Sequence, residues 1–460
     1  MINELYTLSS ATRTDFVART PAHLELMRFQ HVGVQYLTHV KRALLADEMG
    51  LGKTITAIAY MNTIGVDRYM VLCPASLQDN WRREIKKWSM SQCEPHIYRT
   101  GRATPKHCIL ILSYGLCIHF ELLDRILKNY RFGALIADEV HMLKSPLARR
   151  AQLLYAKNGV FDRVDAIAAL SGTPILNKPI EIFPIVNKLN PQVFEEKEFD
   201  AFGAKYCEAR RNVFSGKIEY RGSKNAAQLN FLLRSRVMCR RLKTEVLPQL
   251  PAKIKRVIYL ENASCGLAYI VREHELYSAF CEDGLSSEGN QNMLHVRNIL
   301  GLLKVEQIVS YAKTILEEQE KIIIFGWHKE VLARIGAALA DFNPLVLTGA
   351  TPPNVRSLRV DAFHSDPDRR VFIGSIAAAG VGLNLQIAHY ILFAELSWVP
   401  GENAQAEDRA HRIGQAKSVV IDYLIFENSV DERILNVTNE KAKIIKNVLD
   451  VNAGSVNNPF

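Results

Sequence analysis

Residues 47–54 read Asp-Glu-Met-Gly-Leu-Gly-Lys-Thr, and these residue types in this order can hold a triphosphate. Gly50 and Gly52 let the backbone turn tightly and present N–H groups to phosphate oxygens. Lys53 adds a point charge for the β- and γ-phosphates, and the Thr54 hydroxyl is a ligand for Mg²⁺. An apolar stretch, Ala43–Ala46, leads into the run, and helical apolar spacing at Ile55, Ala57, Ile58 and Ala59 follows it. That is the strand, loop and helix context a phosphate-binding loop needs. Asp47 stands where the usual pattern has glycine, so the run alone also reads as a Gly-rich helix entry. Asp138-Glu139, at the end of another apolar run, adds a carboxylate pair, and the two motifs together indicate a nucleoside triphosphatase. Gln30, upstream of the loop, carries an amide that both donates and accepts, as adenine recognition requires. Taken without the other motifs, it reads instead as a polar residue on an exposed helix face.

The elements that would position these groups follow a regular order. Short apolar runs at 43–46, 70–73, 108–112, 134–137 and 166–170 each end in small, hydroxyl or acidic residues and alternate with helical patterns. This is the sequence image of a doubly wound parallel sheet. Ser76, Trp81, Ser113 and Tyr114 lie just beyond strand ends, where such residues suit phosphate-backbone contacts as well as simple helix caps. Residues 178–250 read as largely helical and basic. Arg234, Arg236, Arg240, Arg241 and Lys243 form either a solvated helix face or a nucleic-acid groove, and Leu247–Pro251 marks a boundary. Strands resume at 254–260 and, after a helical insert, at 322–325, 344–347, 371–373, 390–393 and 419–425. Residues 430–449 have helical periodicity.

The chain has 460 residues, enough for two to three domains, with 48% hydrophobic and 23% charged residues, an ordinary balance for a globular protein. A formal net charge of +9 favours a polyanionic partner such as nucleic acid. Eight cysteines are scattered without a C-x-x-C pair and read as reduced, structural thiols. No run has the length of a transmembrane helix or a signal peptide.

The ordered motifs resemble the two-lobed superfamily-two helicase core, in the Swi/Snf branch of double-strand DNA translocases. They are Phe29-Gln30, Asp47–Thr54, Cys73–Trp81, Ser113-Tyr114, Asp138–His141, Leu170–Asn177, Phe325–Glu330, Ser375–Leu385 and Gln405–Gln415. The last of these, Gln-Ala-Glu-Asp-Arg-Ala-His-Arg-Ile-Gly-Gln, and Arg241-Leu242-Lys243 leading to residues 247–253 carry most of the specificity. Glu395 with Trp398-Val-Pro-Gly looks most like the annealing-helicase, fork-remodelling subgroup. The resemblance implies an α/β fold of two tandem RecA-like lobes with helical insertions and an ATP site in the cleft between them. The expected layout is a lead-in over 1–22, lobe 1 over 23–250 with an insertion at about 178–246, lobe 2 over 251–430 with an insertion at about 263–304, and a helix and tail over 431–460.

Residue by residue, the resemblance implies that Gln30 contacts adenine and that Gly50, Gly52, Lys53 and Thr54 hold phosphates and Mg²⁺. Asp138 would hold Mg²⁺ through water, Glu139 would activate the attacking water, and Arg409 and Arg412 would act as arginine fingers sharing a helix face. Asp47, part of the acidic pair usual before glycine in this branch, joins Gly380 and Gly382 among the expected nucleotide-binding positions. Expected DNA contacts are Ser76, Trp81, Ser113, Tyr114, Arg240, Arg241 and Lys243 on lobe 1. On lobe 2 they are His328, Thr348, Ser375, Asn384 and Trp398. Ala377 departs from the Thr common there, which puts one strand contact in doubt.

The reading is a DNA-dependent ATPase that translocates on duplex or branched DNA with ATP and Mg²⁺, gripping mainly phosphates and so nearly indifferent to sequence. A DNA-bound protein is a further expected partner. Two alternatives are a strand-separating DNA or RNA helicase, for which no wedge element is evident, and an ATP-gated nucleoprotein-binding switch, which would need neither the carboxylates nor the arginines. With no accessory reading module in the chain, a bare, monomeric, intracellular motor is expected, of bacterial or viral origin, or nuclear if eukaryotic.

Overall fold

The computed structural model describes residues 2–102, 104–211, 218–261, 287–379 and 382–450. Cys265, Cys281 and Gly380 lie outside them. The chain forms two compact units, each with its own core. Unit 1 comprises residues 1–208, 220–248 and 444 onward, and unit 2 comprises 209–219 and 249–443. The helix Val430–Leu449 thus begins in unit 2, and its residues from 444 belong to unit 1.

Unit 1 is built on a seven-stranded parallel sheet. Its strands are β1 (Arg42–Leu45), β2 (Tyr69–Cys73), β3 (Pro95–Ile97), β4 (Ile109–Ser113), β5 (Ala134–Asp138), β6 (Ala166–Leu170) and β9 (Met238–Cys239). They lie in the order β3-β4-β2-β5-β6-β1-β9. Every residue of β2, β4, β5 and β6 is buried, as expected for strands covered by helices on both faces. The parallel register brings the ends of β5 and β6 level, Asp138 pairing with Leu170, while Leu45 of β1 pairs with Leu170 on the other side. Polar residues that follow these strands therefore gather at one edge of the sheet, where open α/β sheets bind ligands.

The stretch 178–246 is not wholly helical. It contains the two-stranded sheet of β7 (Glu208–Arg211) and β8 (Ile218–Arg221), and then β9, which extends the main sheet alongside β1. β3 and β9 are three and two residues long, too short for a periodicity to register. Five of the described thiols (Cys73, Cys108, Cys117, Cys207 and Cys239) are buried as small apolar groups. No helix among the described residues is long and apolar enough to cross a membrane.

Unit 2 carries a six-stranded parallel sheet. Its strands are β10 (Lys253–Leu260), β11 (Ile322–Gly326), β12 (Leu345–Leu347), β13 (Val371–Ser375), β14 (Tyr390–Phe393) and β15 (Val419–Phe426), in the order β10-β15-β14-β11-β13-β12. Lys304 interrupts the helical run between the helices Ser287–Leu303 and Val305–Glu318 and is fully buried beneath this sheet's core. Its Nζ donates to Ala394 O at 2.5 Å and Leu424 O at 3.1 Å and pairs with Asp431 at 2.6 Å. One cation thus ties β14, β15 and the start of the helix Val430–Leu449 together. Lys304→Ala would leave a buried carboxylate and two carbonyls without their partner, and a loss of about 3–5 kcal/mol of folding stability is expected. Thermal unfolding checks this, with Lys329→Ala on an exposed position as the neutral control.

Candidate nucleotide-binding site

The loop 47–52 closes on itself before any ligand is considered. Gly50 and Gly52 have φ of 84° and 76°, a region that side chains rarely adopt, so glycine is required at both positions. A Cβ on Gly52 would also lie 2.4 Å from Gln30 Nε2. Lys53 begins the helix Lys53–Thr63, whose first turn leaves N–H groups without intrahelical acceptors. Its Nζ donates to Asp47 O at 2.8 Å and to Glu48 O at 3.2 Å. Burial lowers the Lys53 pKa, opposed by Glu139, Asp47 and Asp138. Gln30 is buried and spans the gap to the loop, with Nε2 donating to Leu51 O (3.1 Å) and Oε1 accepting from Met27 N (2.9 Å).

Asp138 closes β5 beside this loop. Its Oδ2 accepts from Trp81 Nε1 at 2.8 Å, its Oδ1 accepts from Glu139 N at 2.9 Å, and its carbonyl accepts from Tyr114 Oη at 2.9 Å. Burial, then the neighbouring Glu139, raises the Asp138 pKa to about 7, against the Trp81 hydrogen bond and Lys53. A carboxylate held this way is a ready partner for a cation. Glu139 has φ of 49°, a strained value for a non-glycine residue and one that turns its side chain away from the strand direction. Its Oε2 lies 3.3 Å from His141 Nδ1, which is 3.0 Å from Ser171 Oγ. Gly172 follows, and a Cβ there would lie 3.0 Å from Lys53 Nζ and 2.3 Å from Met49 Cγ. Loop, carboxylate pair and the Ser171–Thr173 segment are thus in contact.

The basic cluster at 240–243 does not form a nucleic-acid groove. Arg241 is fully buried, its Nε and backbone N donating to Asp47 Oδ1 at 2.8 and 3.0 Å and its Nη2 to Oδ2 at 2.5 Å. Its Nη1 donates to Phe29 O, and its guanidinium lies 5.6 Å from the Phe29 ring centroid. Lys243 is buried and its backbone N donates to Glu48 Oε2 at 2.7 Å. Arg240 is buried too and reaches Ala46 O at 2.8 Å. Asp47 and Glu48 therefore serve the segment after β9, and the Asp47 carboxylate is held by Arg241 rather than offered to a nucleotide. Trp81 and Tyr114, expected on DNA, are at most 1% exposed and brace Asp138 instead. Ser113 is 6% exposed, whereas Ser76 remains half-buried beyond β2.

In unit 2 the expected residues collect at the carboxyl edge of its sheet. Trp327 and His328 follow β11, Thr348 follows β12, Ser375 ends β13 and Glu395 follows β14. Glu395, which the motif reading left without a role, organises this edge. Its Oε2 accepts from the backbone N of Trp327 and His328, both at 2.8 Å, and its Oε1 pairs with His328 Nδ1 at 2.5 Å. Burial alone would raise the Glu395 pKa, but His328 holds it below the usual range. Arg297 donates to Leu396 O at 2.7 Å and lies 5.5 and 6.0 Å from the Trp327 and Trp398 ring centroids. Asn384 is half-buried and its carbonyl lies 2.8 Å from His364 Nε2. Gly382, with φ of 65°, makes the turn after β13.

Arg409 and Arg412 do not share a helix face. The helix Pro400–Glu407 ends before them, and Arg409 N donates to Ala406 O in the turn that follows. Glu407 and Asp408 are bound by Lys253 at 3.2 and 2.7 Å, and Glu407 also by Lys255 at 2.7 Å. Arg412 donates to Leu383 O at 3.1 Å, and burial, then Arg409, lowers its pKa to about 10.

Residues 29–303 match the SNF2-related domain, and residues 304–414 match the helicase conserved C-terminal domain. The chain belongs to the SNF2-related family. It is similar to the DNA annealing helicase and endonuclease ZRANB3 of Bos taurus, 33% identical over 93% of this chain and 41% of that protein. It is also similar to the SWI/SNF-related matrix-associated actin-dependent regulator of chromatin subfamily A-like protein 1 homolog of Caenorhabditis elegans, 31% identical over 92% of this chain and 62% of that protein. The chain thus spans about two fifths to three fifths of the length of these relatives. Both are animal proteins, so the expected bacterial or viral origin has no support in them. A solved SWI2/SNF2 ATPase core of Sulfolobus solfataricus, in complex with double-stranded DNA, aligns at a TM-score of 0.45 with 20% identity, covering 96% of this chain and 100% of that one.

Within this SNF2-family chain two outcomes distinguish bracing residues from DNA contacts. Arg241→Met leaves Asp47 buried and unpaired and is expected to cost about 3–5 kcal/mol in denaturant unfolding. It should leave the slope of log DNA affinity against log salt unchanged, whereas loss of a phosphate contact would lower it by about one. His141 supplies the second outcome. Burial, then Lys144, pushes its pKa down to about 3, so the folded protein keeps it neutral while the unfolded chain protonates below about 6.5. Stability from this group is complete above pH 6.5 and falls by about 1.4 kcal/mol per pH unit between there and pH 3. His141→Gln should flatten the fall of Tm between pH 6.5 and 4.5 relative to the wild type.

Proposed function

We propose that this chain is a DNA-dependent ATPase that moves along duplex or branched DNA, the motor of a fork- or junction-remodelling activity. The observation that carries the reading is the convergence in unit 1 of a glycine-turned loop, Lys53, Asp138-Glu139 and the Ser171–Thr173 segment at one sheet edge. Family membership and the likeness to ZRANB3, an annealing helicase by name, support the substrate.

The donor set suits Mg·ATP. Mg²⁺ binds most often through one or two carboxylate or hydroxyl ligands together with substrate phosphates, and no group of three or more candidate metal-ligating residues occurs among the described residues. Thr54 and Asp138 are the residues that would hold it, and when bound it would neutralise charge on the β- and γ-phosphates. Gly50, Gly52 and the first turn of the helix Lys53–Thr63 cradle the phosphates with N–H groups. Lys53 exchanges its loop carbonyls for phosphate oxygens, and Gln30 contacts the adenine. Glu139, turned aside by its backbone and lying near His141, orients the attacking water. Arg409 and Arg412 of unit 2 supply the further positive charge that phosphoryl transfer requires. Burial and the neighbouring Arg409 disfavour the charge on Arg412, and a triphosphate would favour it.

DNA is held by Ser76 and Ser113 of unit 1 and by His328, Thr348, Ser375, Asn384 and Trp398 of unit 2. These contacts are chiefly to phosphates, with little sequence preference. Differential affinity for DNA before and after hydrolysis drives movement, since a ligand shifts a conformational equilibrium only by binding its states unequally.

Steady-state ATPase rates with no nucleic acid, single-stranded DNA, duplex, forked DNA and RNA test the reading. Duplex and forked DNA are expected to stimulate most. Glu139→Gln should lower the stimulated kcat by about 10² or more while nucleotide still binds, and Arg412→Ala should lower it by about 10³. Hydrolysis indifferent to every polymer would sink the motor, and a preference for RNA or single strands would favour a strand-separating helicase.

A further inference from the structure

The helix Val430–Leu449 ends in a receptor made entirely of unit 1 residues. Val448 and Leu449 are buried in that unit's apolar core. The carbonyl of Val448 accepts from Asn230 Nδ2 at 2.8 Å and that of Leu449 from Arg234 Nη2 at 3.1 Å. These side chains satisfy carbonyls that a helix end leaves without intrahelical donors. Asp450 follows, an anion at the negative end of the helix dipole, where it is unfavourable unless a cation compensates. Arg240 is that cation. Its Nε donates to Asp450 Oδ1 at 2.6 Å and its Nη2 to Oδ2 at 3.2 Å, with both side chains at most 10% exposed.

The other edge of the same guanidinium faces the nucleotide site. Arg240 Nη1 donates to Ala46 O at 2.8 Å, immediately before the loop, and to Gly172 O at 3.3 Å, the residue packed against Lys53 and Met49. Arg234 Nη1 holds the Arg240 carbonyl at 3.1 Å, so the receptor for the helix end and the brace of the loop are one network. A planar guanidinium fixed by a bidentate carboxylate points its remaining N–H groups in set directions. Without that carboxylate it would be free to swing off the two carbonyls.

We propose that Asp450 is a positioning residue for the nucleotide site: it orients Arg240, and through Arg240 the entry to the phosphate-binding loop and the Ser171–Thr173 segment, so that the docked end of the helix sets ATP affinity. The proposal rests on the ATPase reading above. It makes Arg240 and Asp450 parts of the nucleotide machinery, although one was expected on DNA and the other lies roughly 400 residues from the loop in sequence.

The test measures dissociation of a fluorescent ATP analogue, KM and kcat for ATP, and Tm, for the full chain and three variants. Asp450→Asn is expected to raise Kd and KM about fivefold or more and to change kcat less. Asp450→Glu, which keeps the charge at a longer reach, should stay within about threefold of wild type and regain most of the loss. Asn230→Ala loosens the same helix end without touching Arg240, and should lower Tm with KM within about twofold. Equal nucleotide affinity in wild type and Asp450→Asn would overturn the proposal, as would an Asn230→Ala variant that raises KM as much as Asp450→Asn. Should Asp450→Asn fail to fold, an Asp450→Glu variant no different from Asn230→Ala in its ratio of KM change to Tm change would overturn it equally. A wild-type protein that binds the analogue tightly but never hydrolyses ATP would remove the motor reading and leave this one standing. A wild-type protein that binds no nucleotide removes both.

Discussion

The ion pair between Arg241 and Asp47 is the constraint on which the nucleotide site of unit 1 depends. A loop with two left-handed glycines has few side chains with which to hold its own shape, so its shape must be imposed from outside. Arg241 imposes it by taking both oxygens of Asp47, the carbonyl of Phe29 and the face of the Phe29 ring at once. Three separate pieces of chain meet there: the helix that carries Gln30, the loop, and the segment after β9. Removing either charge strands the other in a buried site, both side chains being at most 1% exposed. A glycine at position 47, as in the commoner form of the loop, would leave Arg241 without a counter-ion, which accounts physically for the acid at that position.

The same economy appears around Asp138. Its carboxylate is costly to ionise where it lies, and the groups that lower the cost are the Trp81 N–H, Lys53 and the Glu139 N–H, while Tyr114 holds the Asp138 carbonyl. In the reading advanced above, the segments that carry Trp81 and Tyr114 also present Ser76 and Ser113 to a phosphate backbone. The two donors that fix Asp138, one on its carboxylate and one on its carbonyl, are therefore neighbours in sequence of the expected contacts to DNA, five residues apart in one case and adjacent in the other. In unit 2 Glu395 plays the comparable organising part, taking two backbone N–H groups and one imidazole nitrogen so that His328 is held in one orientation.

Much of the architecture was legible from the sequence because buried parallel strands are written as short continuous apolar runs. The major strands of both sheets were found this way, along with the helix that begins at Lys53 and the helix Val430–Leu449. What escaped was short or had no pattern of its own. β9 contributes two residues and owes its conformation to pairing with β1, and the β7–β8 sheet sits in a stretch whose composition reads as helix. The site was legible where chemistry is written in a local motif, as at Lys53 and Asp138-Glu139. It was illegible where a role depends on a distant partner. Arg240 and Arg241 look like surface cations because charged residues usually are, and only the fold reveals that Asp47 and Asp450 lie against them. Trp81 misled for the converse reason: a large aromatic with one N–H suits a nucleic-acid surface and a buried carboxylate equally well.

Charge explains why the arginines were misplaced. A chain with a net charge of +9 invites every arginine cluster to be read as a polyanion site. Yet Arg234, Arg240, Arg241, Arg297 and Lys304 are all at most 7% exposed, so this part of the positive excess is spent on carbonyls and carboxylates inside the protein. Guanidinium is suited to that use because its planar fork can satisfy several acceptors from different chain segments at once, and it remains charged when buried. The cations that remain to attract a polyanion over a distance are the exposed ones, and in the proposed reading their number is what the salt dependence of DNA binding would count. Net charge therefore overstates the electrostatic footprint of this chain, and the proportion it overstates is set by how many loops the fold must hold in place with arginine.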